Sequence, residues 1–407
     1  MGFAQKIADR LYGTTKTPEG DTISKVDIEN MIMIPDKFRS GEFNPFFKTE
    51  EDRNLSGKHV YLIMVQGPYN DPNSMVFRAV TAATAAKENG AERVIVVATD
   101  HPFDRAERGP IEDKKMRGKG ATAKAVARTF HANSIDQILT MHMHTPVIEK
   151  IYQDAYGIND GRKVLLNISP HFILAHYLRT RSPLTELINE MEGENLVIIA
   201  ADKGSEIFVD KVYLALGFPK ISRVYFDKAR KIANNTDAVD IKINRVSDNF
   251  TSLQGKIVLF ADDKIDSGGT YIQTTRWVTG EQKEVPHNMG TPSALIAYAT
   301  HAVFGGMGFQ TVAKNLANTI TREFIVSNTR PYVCDRTHHK FKTKSTILRM
   351  AGIFADAILN CCETGIHPDD HYKFASFSDM DAKIGDKYSI ERSSTHFMMG
   401  GSEHNEE

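Results

Sequence analysis

The sequence predicts an α/β protein built from two doubly wound parallel-sheet domains. Apolar runs at residues 93–99, 196–201 and 257–260 have the length and composition of strands buried on both faces of a parallel sheet. Charged residues and glycines follow these runs, and segments with helical periodicity come next. Because this alternation recurs in both halves of the chain, we expect two domains related by an internal pseudo-repeat.

The composition is that of a globular protein with no general affinity for nucleic acid or lipid. A length of 407 residues is enough for two or more domains, and the net charge is −1. We find no apolar run long enough to cross a bilayer and no signal-peptide core at the N-terminus. The three cysteines match neither a disulfide framework nor a zinc motif. We therefore expect a cytoplasmic protein.

Changes in composition along the chain suggest four segments. The expected order is an N-terminal extension at 1–25, an α/β domain at 26–167, a second α/β domain at 168–375 and a polar tail at 376–407. The extension combines a short amphipathic helix with a polar linker. The tail is expected to be poorly ordered, because it is polar and terminal.

The most informative stretch is KIVLFADDKIDSGGT at residues 256–270. We expect a buried strand that stops at adjacent acids, then a glycine-rich turn, then a helix from Tyr271. Open α/β sheets bind ligands at the carboxyl ends of their strands. Glycine amides and a helix N-terminus favour a phosphate, whereas acids suit sugar hydroxyls and magnesium. The stretch therefore predicts a ribose 5-phosphate site, whose residues are Asp262, Asp263, Asp266, Ser267, Gly268, Gly269 and Thr270.

This stretch resembles the phosphoribosyl-diphosphate (PRPP) loop of the type I phosphoribosyltransferase fold. That family includes many transferases and also the ribose-phosphate pyrophosphokinases, and the loop does not choose between them. A second string, DKARK at 227–231, is similar to the Lys-x-Arg motif of the kinases, which lies at the root of a mobile loop. Lys228 and Arg230 match both motif positions. The resemblance, which covers about residues 28–370, implies that this pair stabilises the charge that develops during phosphoryl-type transfer.

Two weaker matches extend the resemblance to the phosphates and the metal. DKGSE at 202–206 is similar to the pyrophosphate loop Asp-Ala-Gly-Gly-Ala of the family, with Asp202 and Gly204 matching. His142-Met-His144 stands where the family has Asp-Leu-His, so His144 corresponds to the histidine that contacts the metal-nucleotide. The resemblance implies a Mg²⁺ ion as cofactor, with ligands among His144, Asp202, Asp262 and Asp263.

Residues in the first half resemble the ATP-binding loops of the kinases. KFRSGEF at 37–43 is similar to the family's Phe-Pro-Asp-Gly-Glu loop, which reaches the adenine of ATP bound at a neighbouring subunit. HPFDRAER at 101–108 is similar to Pro-Tyr-Ala-Arg-Gln-Asp-Lys, and a basic run ending at Arg117 follows it. The implied ATP ligands are Phe38, Glu42, Arg105, Arg117 and His144.

The resemblance implies diphosphoryl transfer from Mg-ATP to ribose 5-phosphate, giving PRPP and AMP, in a homo-oligomer such as a dimer or hexamer. Three alternatives remain open. A phosphoribosyltransferase would use the same central loop but consume PRPP. A non-catalytic regulatory homologue would bind without turnover. A third possibility keeps the chemistry but uses a larger 5-phosphoribosyl acceptor such as ADP-ribose, which the added segments at 109–113 and 280–292 motivate.

Overall fold

The structure, a computed structural model, divides the chain into two compact units. It describes residues 2–16, 22–24, 34–47, 55–67, 71–230, 239–280, 289–305 and 308–392. Unit 1 comprises Met1–Ser169, Thr329–Pro331 and Met350–Lys373. Unit 2 comprises Pro170–Asn328, Tyr332–Arg349 and Phe374–Glu407.

Unit 1 contains a four-stranded parallel sheet and two small antiparallel pairs. Its strands are β1 (Thr14–Lys16), β2 (Thr22–Ser24), β3 (Ile34–Lys37), β4 (Phe43–Phe46), β5 (His59–Met64), β6 (Arg93–Ala98), β7 (Gln137–Met141) and β8 (Leu165–Ile168). The parallel sheet has the order β5-β6-β7-β8, while β1 pairs with β2 and β3 pairs with β4. The helical segments of unit 1 are Phe3–Tyr12, Pro72–Glu88, Lys114–Met116 (3₁₀), Thr122–Ala132, Val147–Tyr156, Ala351–Ala357, Ile358–Cys362 (π) and Pro368–His371.

The parallel sheet of unit 1 is buried on both faces, as its continuous apolar strands require. Val94, Val96 and Ile138 pack in one core with the helices between the strands. Ile95, on the opposite face of β6, is also completely buried. The N-terminal helix belongs to this unit, because the Phe3 ring packs edge-on against Phe354 at a centroid distance of 5.8 Å.

Unit 2 contains an eight-stranded mixed sheet. Its strands are β9 (Leu196–Ala200), β10 (Ser222–Arg230), β11 (Val239–Val246), β12 (Ile257–Ile265), β13 (Ala294–Ala302), β14 (Glu323–Ser327), β15 (Ser345–Arg349) and β16 (Ser389–Arg392). Its helices are His171–Thr180, Thr185–Glu190, Glu206–Leu216, Gly269–Val278, Phe309–Ala317, Pro331–Arg336 (which begins in the unit 1 segment), His339–Lys342 and Phe377–Ile384. The order is β11-β10-β9-β12-β13-β14-β15-β16, with antiparallel pairing only at the two edge strands among the described residues.

The strand order of unit 2 places a topological switch point between β9 and β12. From β9 the chain goes to β10 on one side and later to β12 on the other, so helices cover both faces of the sheet. On one face Trp277 and Leu316 pack against Val258. On the other, the Phe208 ring stacks on Tyr298 at 5.6 Å. Ligands of open α/β sheets bind at the carboxyl side of such a switch point.

The α/β class with parallel sheets in two domains is confirmed, but some predicted boundaries differ from those of the structure. The two sheets have different strand orders. The two units therefore share the α/β architecture but not the arrangement of their strands. Residues 350–373 lie in unit 1. The predicted tail supplies helix Phe377–Ile384 and the edge strand β16, because Met380, Ile384 and Tyr388 are apolar enough to be buried. No helix among the described residues is long and apolar enough to span a membrane.

Candidate functional site

The acidic pair lies inside β12 and not in a turn after it. The predicted strand end at Phe260 is wrong, because β12 continues to Ile265. Pairing with β13 sustains the extension, with Asp262 opposite Ala299 and Lys264 opposite His301. Asp263 and Lys264 are each 8% exposed, so the strand carries buried charges of both signs. Lys264 is a charged residue of the site region that the sequence analysis did not select.

Asp202 belongs to the turn that follows β9, the strand beside β12. Its Oδ1 accepts a hydrogen bond from the Gly204 amide at 2.9 Å, and its carbonyl accepts one from the Ser205 amide at 3.2 Å. The turn then leads into helix Glu206–Leu216. This closed turn explains the Asp-x-Gly spacing, since the short side chain fixes the backbone two residues later. The structure thus brings the predicted pyrophosphate loop next to the acidic strand.

Three carboxylates influence one another at this edge of the unit 2 sheet. Burial raises the pKa of Asp262 well above its ordinary value, and the neighbouring charges of Asp263 and Asp202 raise it further. The Asp263 amide donates to Asp262 Oδ1 at 2.9 Å, which acts in the opposite direction. Repulsion among these carboxylates is the electrostatic condition that a bound divalent cation relieves.

The donor chemistry of this carboxylate cluster fits magnesium. No group of three or more His, Cys, Asp or Glu side chains in the described part of the chain is close enough together to hold an ion. Magnesium does not need such a group, because it commonly binds through one or two carboxylates, water and substrate phosphates. Asp202, Asp262 and Asp263 supply oxygen ligands of this kind, whereas His144 lies in unit 1, after β7.

The Ser267–Thr270 segment forms the start of helix Gly269–Val278, and Gly268 precedes that helix with φ of +77°. The Gly269 amide donates to Ser267 Oγ at 3.4 Å, and the Ile272 amide donates to the Gly268 carbonyl at 2.9 Å. The first amides of a helix have no acceptor within the helix, and the helix dipole favours an anion there. A helix start of this kind is a position at which a phosphate can bind.

A loop from β13 supports Asp266. The Gly305 amide donates to Asp266 Oδ1 at 3.1 Å, and a Cβ atom on Gly305 would lie 2.4 Å from the same oxygen. Two further amides, of Val303 and Phe304, donate to the Ile265 carbonyl at 3.0 and 3.1 Å. The glycine at 305 is therefore needed for this contact, although the sequence analysis gave it no role.

The Lys228–Arg230 segment occupies the carboxyl end of β10. Residues 222–225 pair with β9, and the strand then continues with β11 alone, where Lys228 is opposite Ile241 and Arg230 is opposite Val239. Two positions separated by one residue lie on the same side of a strand. Both residues therefore lie at the carboxyl end of β10, the neighbour of the strand that Asp202 follows. Their side chains, and residues 234–237 of the predicted mobile loop, lie outside what the structure describes.

In unit 1, Arg105 and His144 lie on neighbouring loops at the carboxyl edge of the sheet. Both side chains are exposed, and the loops after β6 and β7 are joined by a hydrogen bond from the His144 amide to Asp104 Oδ2 at 3.1 Å. His142 is buried and has a positive φ of 46°, and its amide donates to the Ile168 carbonyl at 2.8 Å. The structure therefore brings these two predicted ATP ligands to the same sheet edge.

The remaining ATP candidates lie on exposed loops of unit 1. Arg117 follows the 3₁₀ turn Lys114–Met116 and is exposed. Phe38 is 58% exposed, and its amide donates to the Glu42 carbonyl at 3.0 Å in the turn between β3 and β4. The Glu42 carboxylate accepts a hydrogen bond from Ser40. An aromatic ring presented to solvent in this way is available to stack on another ring.

Gly268→Ala is expected to destabilise the protein by about 1–2 kcal/mol, because an L-residue is strained in the left-handed region. The added Cβ would also lie 3.0 Å from Leu316 Cδ2. Gly255→Ala is the matched control, since Gly255 has φ of +69° and no atom within 4 Å of the added Cβ. Chemical denaturation should show a larger loss for the residue 268 variant. Equal losses would mean that helix Phe309–Ala317 does not restrict this position.

The sequence is similar to a known protein family and to known enzymes. Residues 176–285 match the family described as phosphoribosyl transferase domain. The ribose-phosphate pyrophosphokinase of Methanopyrus kandleri is 27% identical over 280 residues, which cover 69% of this chain and 78% of that protein. That of Helicobacter hepaticus is 24% identical over 355 residues (86% and 94%), and that of Vibrio vulnificus is 26% identical over 359 residues (88% and 91%).

A solved structure shows the same fold. The crystal structure of phosphoribosylpyrophosphate synthetase from Mycobacterium smegmatis superposes with a TM-score of 0.61 at 19% identity, covering 89% of this chain and 95% of that chain. The resemblance to the ribose-phosphate pyrophosphokinase family is thus confirmed over most of the chain. The expected likeness to enzymes of the diphosphotransferase class is confirmed with it.

Proposed function

We propose that this chain transfers the β,γ-diphosphoryl group of Mg-ATP to the anomeric hydroxyl of ribose 5-phosphate, giving PRPP and AMP. The observation that carries the proposal is the carboxyl edge of the unit 2 sheet. There a carboxylate cluster on β9 and β12 lies beside a glycine-started helix, and two cationic residues occupy the end of β10. This combination suits a sugar phosphate that receives a further charged group.

In the proposed reaction, the loop after β12 holds the acceptor. Amides of Ser267–Thr270 at the helix start bind the 5-phosphate. Asp262, Asp263 and Asp266 bind ribose hydroxyls, and Asp202 and Gly204 bind the diphosphate end of the product. Asp202, Asp262 and Asp263 would supply one or two of the ligands of a magnesium ion, whose positive charge would neutralise the phosphate oxygens.

The proposed role of Lys228 and Arg230 is electrostatic. The anomeric oxygen forms a bond to the β-phosphorus of ATP, the bond between that phosphorus and the bridging α,β-oxygen breaks, and the hydroxyl proton is released. Charge then grows on the bridging oxygen and on the transferring group. Two cations at alternate positions of one strand end are suited to stabilise that charge.

Unit 1 is proposed to bind ATP. Arg105 and Arg117 would grip its phosphates, since a guanidinium offers two parallel donors to a phosphate, and His144 would contact the metal-nucleotide. Phe38 and Glu42 would contact the adenine of ATP held by a neighbouring copy of the chain. This role is why we propose a homo-oligomer.

A panel of acceptors tests the proposal. The purified chain would be incubated with Mg-ATP and either ribose 5-phosphate, ADP-ribose, ribose or no acceptor. AMP release would be measured by a coupled assay, and the new diphosphate by ³¹P NMR. We expect AMP and PRPP with ribose 5-phosphate alone. Turnover with ADP-ribose alone would assign the larger acceptor, and turnover of PRPP with a nucleobase in the absence of ATP would overturn the proposal in favour of a phosphoribosyltransferase.

We expect little activation by inorganic phosphate and ADP inhibition that saturating ATP relieves. Related enzymes use a Ser-Val-Arg-Gly segment in an allosteric phosphate site, whereas this chain reads Asn-Leu-Ser-Gly at 54–57, without the arginine fork. Of the described part, Ser56 forms an isolated bridge with Ala91. Residues 368–373 read PDDHYK, unlike the Gly-Glu-Ser-Val-Ser-Tyr segment with which related enzymes complete that site. Asn54 lies outside the described residues. Initial rates against phosphate and against ADP at saturating ATP would check this, and strong phosphate dependence would contradict it.

A further inference from the structure

The turn after β6 is buried although its sequence is strongly polar. Thr99 and Asp100 are 0% exposed, His101 is 1% exposed and Asp104 is 3% exposed. Arg105, the next residue, is exposed. A buried polar turn is stable only when its groups are paired. The turn therefore has specific partners, and these partners determine the position of the Arg105 backbone.

Arg330 is a charged partner of this turn. Its Nε donates to Asp100 Oδ2 at 2.6 Å, and its Nη2 lies 2.5 Å from the same oxygen. The Asp100 side chain is 0% exposed and that of Arg330 is 18% exposed. Next to this ion pair, Thr99 Oγ1 donates to the Thr329 carbonyl at 2.7 Å. The short segment Thr329–Pro331 thus enters unit 1 and binds two consecutive residues of the turn.

Other contacts fix the rest of the turn. His101 Nε2 and the Tyr152 hydroxyl are 2.8 Å apart, and both groups are buried. Asp104 Oδ2 accepts the His144 amide at 3.1 Å, so the turn also sets the position of the loop after β7. A displacement that begins at Asp100 would consequently reach both Arg105 and His144.

We propose that Arg330 is a positioning residue for nucleotide binding, which rests on the proposed function of this chain. Its guanidinium neutralises the buried Asp100 carboxylate and thereby fixes the turn that presents Arg105 and the His144 loop to ATP. Removing the cation leaves a buried carboxylate that must move toward water. In catalysis, a misplacement of about 1 Å can cost about 100-fold in rate, and we expect an effect of up to that size on binding. ATP affinity is therefore expected to fall by about 10- to 100-fold, with ribose 5-phosphate affinity unchanged.

Three variants test this inference. Arg330→Lys keeps the charge but loses the two-donor fork, and Arg330→Gln loses the charge. The double variant Asp100→Asn with Arg330→Gln restores a neutral hydrogen-bonding pair, so it should bind ATP more tightly than Arg330→Gln alone. Titration calorimetry with ATP, and separately with ribose 5-phosphate, would measure the affinities. Circular dichroism and melting would establish that each variant is folded.

Arg93→Lys is the matched control, because Arg93 is a partly buried arginine at the opposite end of β6. Its guanidinium donates to the Cys362 carbonyl at 3.1 Å and to Gln137 Oε1 at 3.0 Å. We expect this variant to lose stability but to keep wild-type ATP affinity.

The outcomes separate the inference from the proposed function. If the wild type binds ATP and the Arg330→Gln and Arg330→Lys variants both bind it equally well, the positioning role is wrong. Equal losses of ATP and ribose 5-phosphate affinity would also overturn it, because a general structural defect would then explain both. If Arg330→Gln fails to fold, Arg330→Lys and the double variant still decide the question. A wild type that binds no ATP would instead refute the proposed function, and the inference would fall with it.

Discussion

The variant Lys228→Ala with Arg230→Ala is expected to lose turnover by about 10⁴-fold while binding ATP nearly as tightly as the wild type. Removing a single oxyanion-type donor costs about 100- to 1,000-fold in kcat. The two residues are two positions apart at the carboxyl end of β10, so we expect the two losses to combine at one group. Because such donors act on charge that develops during the reaction, kcat should fall much more than ATP affinity.

Lys220→Ala is the matched control for this loss of charge. Lys220 precedes the other end of β10, where its Nζ lies 3.1 Å from Glu192 Oε2 on the surface. We expect it to keep wild-type turnover. Steady-state rates and ATP titrations of both variants would check the prediction. A double variant that retains more than about a tenth of wild-type turnover would show that Lys228 and Arg230 do not stabilise the transferring group.

Buried parallel strands were predictable from sequence because burial on both faces demands continuous apolar residues. The run predicted at 196–201 is β9, Leu196–Ala200, and the run predicted at 93–99 is β6, Arg93–Ala98. The glycine-rich turn after Asp266 was equally readable, since Gly268 has the positive φ for which glycine is suited. These features depend on a few neighbouring residues, so local patterns suffice.

The end of β12 could not be read in this way because it depends on a distant strand. Asp262 and Asp263 look like turn residues, but Asp262 pairs with Ala299, and residues this far apart in sequence leave no local signal. The same applies to the turn after β6. No local pattern marks Asp100 as buried, yet it pairs with Arg330, 230 residues further along the chain.

The C-terminal segment was mispredicted for a different reason, because the prediction relied on its average composition. Residues after 376 are polar on average, yet helix Phe377–Ile384 buries Met380 and Ile384, which are four residues apart and so lie on one helix face. Asp381 on the same helix lies 2.7 Å from Nε2 of the buried His176. A mean polarity does not reveal a narrow apolar face that has a partner elsewhere in the fold.

Asp262→Asn is expected to lower turnover by about 100-fold or more and, without magnesium, to raise the melting temperature at neutral pH. The first effect follows from the loss of a proposed ribose and magnesium ligand. The second follows from the raised pKa of Asp262, which records the cost of burial and then repulsion from Asp263 and Asp202. Relieving such a charge stabilises by about 1 kcal/mol, or about 2–4 °C in a domain of this size.

The raised pKa of Asp262 also determines how the stability of the folded state changes with pH. A carboxyl whose pKa is raised on folding binds its proton more tightly in the folded state, so stability falls as the pH rises from its ordinary pKa of 3.8 toward the raised value. The wild type should therefore melt lower than Asp262→Asn at neutral pH, and the difference should vanish near pH 4. Magnesium should raise the melting temperature of the wild type but hardly that of the variant.

Asp263→Asn should behave similarly in activity and magnesium response, although Asp263 is a buried strand residue and not the exposed turn residue that the sequence suggested. Asp248→Asn is the control, because Asp248 is an exposed aspartate in the turn after β11. Its neighbour Asn249 donates a hydrogen bond to the Ile221 carbonyl, just before β10. Melting with and without magnesium between pH 4 and 8 would measure all three variants. If Asp262→Asn melts below the wild type at neutral pH without magnesium, the carboxylate cluster stabilises the fold and is not strained for ion binding.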